Sequence, residues 1–124
     1  MKKRWLFEGL VVLTLIGLAN FSLSTSKQQQ AHYTLDHQRI IYDGGMLKNK
    51  FNGQGKLKLA NQDYYVGHFK NGQFSGHGNF KSHKNWQYQG NFTAGVPDGK
   101  GVLTTANKKT YRGLFNKGEL VHAD

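Results

Sequence analysis

Four tyrosines recur at intervals of 23 residues, at Tyr42, Tyr65, Tyr88 and Tyr111. Counting each as offset zero, offset +2 is Gly44, Gly67, Gly90 and Gly113. Offset +4 is Met46, Phe69, Phe92 and Phe115. Offset +7 is Asn49, then Gly72, Gly95 and Gly118. Gly53, Gly76 and Gly99 stand at +11, Gly55, Gly78 and Gly101 at +13, and Leu57, Phe80 and Leu103 at +15. Of the glycines after residue 41, only Gly45 lies off this lattice. A fixed period of this length marks a stacked repeat, in which each unit buries its apolar face against its neighbours.

Within the unit the period is two. Offsets 0, +2 and +4 share one face of a strand, and the residues between them face the other way. Asn71-Gly72 and Ala94-Gly95 are turn signals near the middle. Each unit therefore reads as a hairpin of two short strands. A symmetric hairpin sets 0 opposite +15, +2 opposite +13, and +4 opposite +11. Glycine costs strand stability through lost packing and backbone entropy. Here it makes room for the rings of the same and neighbouring hairpins, and the cost is offset by ring burial.

The stretches "YVGHFKNGQFSGHG" and "YQGNFTAGVPDGKG" resemble the MORN (membrane occupation and recognition nexus) repeat family. That unit runs Tyr-x-Gly-x-Phe/Trp, then x-x-Gly, then Gly-x-Gly. "YDGGMLKNKFNGQG" departs from it at Met46 and Asn49, and "YRGLFNKG" stops before its Gly-x-Gly strand. The resemblance spans residues 42–118. It implies an all-β fold, an elongated antiparallel sheet of stacked 23-residue β-hairpins, used to bind proteins or membrane phospholipids. Three and a half hairpins with strands ~4.8 Å apart make a sheet on the order of 30 Å long.

The N-terminus is of another kind. Lys2, Lys3 and Arg4 precede an apolar run from Trp5 to Leu23, broken by Glu8, Thr14, Asn20 and Ser22. Cations followed by an apolar stretch are the layout of a targeting segment. Cleavage after Ala19 or Ser24 and retention as a hydrophobic helical anchor both fit. Gly9 to Leu23 is only about 22 Å long as a helix, so an anchor must reach back toward Trp5. Either way the domain that follows is expected outside the cytoplasmic membrane, secreted or held by one N-terminal span. Residues 1–24 are this segment, 25–40 a polar tether with a capping hairpin around Asp36-His37-Gln38, and 41–124 the repeat domain of three full units and a half unit.

No catalytic constellation is visible, and the chain is read as a non-enzyme. The acids after residue 41 are Asp43, Asp63, Asp98, Glu119 and Asp124, each at a different offset. The glycines open no helix, so they form no phosphate loop. Cysteine is absent, and no cofactor is called for. His68 and His77, opposed in a symmetric hairpin, make too poor a ligand set to assign a metal.

Charge is the remaining signal. The chain carries a formal net charge of +10. Outward offsets and connections hold Lys56, Lys58, Lys70, Lys81, Lys84, Lys108 and Lys109. Such lysines serve solubility and edge protection, and equally an anionic partner. For an exported domain that partner is anionic phospholipid or wall polymer rather than nucleic acid. A different class of partner is a protein, or a second copy, pairing with an open sheet edge expected at Tyr111–Phe115.

Overall fold

The computed structural model describes residues 29–35 and 39–124. It holds nine strands: β1 (Gln29–Leu35), β2 (Ile40–Leu47), β3 (Lys50–Lys58), β4 (Tyr64–Lys70), β5 (Gln73–Lys81), β6 (Gln87–Thr93), β7 (Val96–Thr104), β8 (Thr110–Asn116) and β9 (Glu119–Ala123). Their order in the single sheet is their order in the chain, and every neighbouring pair is antiparallel. The hydrophobic N-terminal helix expected from the sequence falls on residues 1–24, outside the described residues. Among the described residues no helix is long and apolar enough to cross a membrane.

Two kinds of turn alternate. At one end of the sheet the turn residues are Lys48-Asn49, Asn71-Gly72, Ala94-Gly95 and Lys117-Gly118, all at positive φ. Two such residues make the turn whose twist matches that of the flanking strands. At the other end lie the loops 59–63, 82–86 and 105–109. Each closes with two backbone hydrogen bonds, as in Ser82 N to Trp86 O (2.8 Å) and Asn85 N to Ser82 O (3.0 Å). The tips are also tied between units. The amides of Gly72, Gly95 and Gly118 donate to the carbonyls of Phe51, Phe74 and Pro97 in the preceding unit. Among the described residues the first tip turn has no such partner, and there Asn49 stands at the glycine's offset.

Inside a unit, Tyr65 pairs with Phe80 and Gly67 with Gly78, the register expected of offsets 0 with +15 and +2 with +13. The expected pairing of +4 with +11 is wrong. Phe69 pairs with Phe74 at +9, across a bulge, while Gly76 pairs with Phe92 of the next unit. Three residues of β5 then stand against one of β4, and Gly76 has φ +61. Extra residues on one strand bend it and sharpen its twist. The tip of each hairpin thereby folds back over its own base.

This fold-back is how one sheet buries a core. The ring of Tyr65 lies over Gly67 and Gly78, and Phe74 stacks on it with centroids 3.9 Å apart. Tyr42 and Phe51 repeat the stack at 3.6 Å. Pro97 and Leu120 hold the same offset in the later units, and both are buried. Phe69 stands edge-on between Tyr42 (5.2 Å) and Tyr65 (5.0 Å), and Phe92 likewise between Tyr65 (5.3 Å) and Tyr88 (5.1 Å). Edge-to-face contact is a favoured aromatic geometry, and here it links each unit to the next. Each tyrosine hydroxyl donates to a backbone carbonyl: Tyr42 to Gly45 (2.7 Å), Tyr65 to His68 (2.8 Å), Tyr88 to Asn91 (2.9 Å). Burial pushes the pKa of all three well above the ordinary tyrosine value.

The ends depart from the sequence reading. Gln29 and Gln30, read as tether, belong to β1, which runs against β2 with Tyr33 opposite Tyr42 and Ala31 opposite Gly44. The edge expected at Tyr111–Phe115 is not open. After Lys117-Gly118 the chain returns as β9, with Phe115 opposite Leu120 and Gly113 opposite Ala123. The tip turn and one apolar residue at +9 suffice to pair the strand without its Gly-x-Gly. Among the described residues the outer strands of the sheet are β1 and β9.

Candidate anion-binding surface

Pairing across the sheet lines up the outward residues in rows. One row runs Asp43, Lys56, Val66, Asn79, Gln89, Val102 and Arg112. A second, nearer the loops, contains Lys58, Tyr64, Lys81, Gln87 and Thr104. Lys58 and Lys81 flank Tyr64, which is 36% exposed. Lys84 lies in loop 82–86, and Lys108 and Lys109 in loop 105–109. Five of the seven candidate lysines thus gather at the loop end of the sheet. Lys56 sits two residues inward from Lys58. Lys70 pairs with Gln73 beside a tip turn, at the opposite end from the loops. All seven are exposed.

Three concavities border these rows. The first, of ≈ 720 Å³, is lined by His32, Asp43, Gln54, Lys56 and Val66 among others. His32 Nδ1 and Asp43 Oδ1 are hydrogen-bonded in it. The second, of ≈ 640 Å³, brings together Lys100 and Arg112 with His77 and His122. Lys100 and Arg112 were not picked out as binding residues from the sequence. Their shared outward direction was legible there, but their convergence depends on β7 pairing with β8. The third, of ≈ 540 Å³, opens between loops 82–86 and 105–109 and is lined by Lys81 and Lys108.

One buried charge organises the loop end. The Asp63 side chain is 8% exposed. Its Oδ1 accepts from the backbone amide of His83 (2.9 Å) and lies 2.7 Å from His83 Nδ1, in the next loop. Its Oδ2 accepts from Asn61 Nδ2 (3.1 Å). A carboxylate is thus held between two successive loops.

The histidines expected to oppose each other do not. His68 pairs with Gln54, and His77 with Asn91. The bulge displaces the two strands by the extra residues, which breaks the symmetric register. Among the described residues no three His, Cys, Asp or Glu gather as a metal site.

The model of the MORN repeat matches three times, over residues 42–64, 65–85 and 88–110. The chain belongs to the MORN repeat family. The matches begin at Tyr42, Tyr65 and Tyr88, the tyrosines that open the first three of the four bulged hairpins. In this MORN protein the strand pairing continues past the matched residues, into β8 and β9 at one end and β1 at the other. No curated protein matches the chain. MORN repeats are generally non-enzymatic modules that bind membranes or proteins.

Proposed function

We propose that this MORN protein is an exported or membrane-tethered binding module that contacts an anionic surface of the cell envelope, phospholipid or wall polymer. The gathering of Lys58, Lys81, Lys84, Lys108 and Lys109 at one end of the sheet carries this reading. The one acid within the loops there, Asp63, is buried and engaged by His83. Lysines near an anionic membrane contribute ~1 kcal/mol each, and the attraction fades as salt shortens the Debye length from ~10 Å at 0.1 M to ~3 Å at 1 M. The test is co-sedimentation of the full chain with anionic vesicles, neutral vesicles and wall polymer over a salt series. Binding should require the anion and decline with salt, and joint replacement of Lys56, Lys58 and Lys81 by Gln should weaken it more than any single change. A reporter that works only after export, fused behind Asp124, tests the location.

A second reading, a protein partner, draws support from the exposed strand β9. Its Val121 is 44% exposed, and an outer strand offers unpaired backbone groups for strand addition. Binding of that kind ignores both lipid charge and salt.

A further inference from the structure

The repeat supplies its own internal comparison. Asp63, at offset +21 of the first unit, receives the amide of His83, at offset +18 of the second. One unit later the same offsets hold Trp86 and Ala106. Trp86 packs on Phe80 (centroids 5.4 Å), and its side chain has no oxygen to offer. The amide of Ala106 has no acceptor among the described residues. Where the first pair of loops holds a carboxylate, the second pair has a cleft of ≈ 540 Å³, lined by Trp86 and Ala106 together with the polar Asn85, Gln87, Thr104, Lys81 and Lys108. Neither lysine has a carboxylate partner among the described residues.

We infer that this cleft is a discrete site for a phosphate-class anion, which takes the place between loops 82–86 and 105–109 that the Asp63 carboxylate takes between loops 59–63 and 82–86. The inference rests on the anionic-surface reading and narrows it to named groups. The backbone amide of Ala106 donates to one anion oxygen. Asn85, Gln87 and Thr104 offer side-chain donors at the wall, and the two ammonium groups balance the charge. Phosphate suits the cleft better than a carboxylate, because it spreads its charge over more oxygens than a carboxylate has and the donors stand on several sides. The phosphate comes either from a lipid headgroup or from a soluble phosphate ester, and both offer the same oxygens.

The test follows amide resonances of the full chain by NMR while inorganic phosphate is added. The largest shifts should fall on Ala106 and its loop, with smaller ones at Lys81 and Asn85. Replacing Lys81 and Lys108 together by Gln, both exposed and so harmless to the fold, should weaken phosphate binding by about tenfold or more. The matched control, Lys48 and Lys117 to Gln, both exposed in tip turns at the opposite end of the sheet, should leave it unchanged. Vesicles containing phosphatidylglycerol that compete with phosphate for the Ala106 signal assign the site to a headgroup. Phosphate binding that such vesicles leave untouched, and that glycerol 3-phosphate displaces, assigns it to a soluble ester. Shifts spread evenly over all lysines, or equal losses in the two double variants, overturn the cleft. Salt-sensitive vesicle binding that survives in that case leaves the broader surface reading standing.

Discussion

Phe74 and Phe80 lie six residues apart on strand β5, and their ring centroids are 5.9 Å apart. Along a flat strand that separation is about 20 Å. The strand therefore doubles back, at Gly76 and the bulge opposite His68. Tyr65 occupies the space enclosed, with its hydroxyl on the His68 carbonyl. Hairpin, bulge and tyrosine form one structural unit, and most of its weak points follow from that.

Gly78 and Gly76 are both lattice glycines, kept for different reasons. A Cβ at Gly78 collides with the Tyr65 hydroxyl and ring, inside a stacked core that cannot give. Gly78→Ala should destabilise the protein by ~1–3 kcal/mol through overpacking. At Gly76 the nearest atom is 3.7 Å away and the constraint is the backbone, φ +61. Gly76→Asn should cost under about 1 kcal/mol, since Asn tolerates this conformation, and Gly76→Val clearly more. Thermal melts of the three variants check the order. Equal losses for Gly78→Ala and Gly76→Asn contradict it.

Ala94 sits at φ +50 in the third tip turn, where the second unit has Asn71 at φ +52. Left-handed conformation costs an ordinary L-residue roughly 1–2 kcal/mol, less for Asn. Ala94→Asn should stabilise the chain by about 0.5–1 kcal/mol, seen as a higher denaturation midpoint with an unchanged slope. Asn71→Ala should do the opposite.

Asp63 links two loops through its carboxylate. Asp63→Ala leaves the His83 amide without its acceptor and should cost ~1–3 kcal/mol. Hydrogen exchange at His83 should quicken more than at core amides such as Phe80. Uniform quickening across the sheet would show that the carboxylate supports more than the loop pair.

The buried tyrosines make stability fall in alkali. Burial raises the folded-state pKa of Tyr42, Tyr65 and Tyr88, so the folded chain keeps protons that the unfolded chain releases above about pH 10. Below that pH the contribution is fully present. It is lost as pH rises through the window toward the folded-state values, by up to ~1.4 kcal/mol per pH unit for each tyrosine. Denaturant unfolding from pH 8 upward checks this. Tyr65→Phe should lose about 1 kcal/mol at neutral pH with its hydroxyl, and show a shallower alkaline decline.

The repeat was legible in the sequence because it is local. Tyrosine, glycine and aromatic recur every 23 residues, and period-two alternation places them on one face. The Asn71-Gly72 turn then sets Tyr65 against Phe80 and Gly67 against Gly78. Symmetric counting fails beyond Gly67, where three residues of β5 face one of β4. Phe51, Phe74, Pro97 and Leu120 therefore read as turn neighbours, although they are the upper layer of the core. Ring stacking favours the fold-back that places them there, and no pairwise strand rule contains it. The last strand was missed for a related reason. Leu120 needs only a tip turn and the neighbouring Phe115 to be buried, and neither requires the Gly-x-Gly that marks the other units. The lysines were visible as a charge excess without a place. Lys81 and Lys108 are 27 residues apart in sequence. They meet at one cleft because sheet hydrogen bonding sets successive loops side by side. The periodicity of the sequence determined the strands, their order and the tyrosine core. The tertiary structure decided the fold-back, the extra edge strand and the meeting of charges, because each depends on contacts between residues that the 23-residue period does not relate.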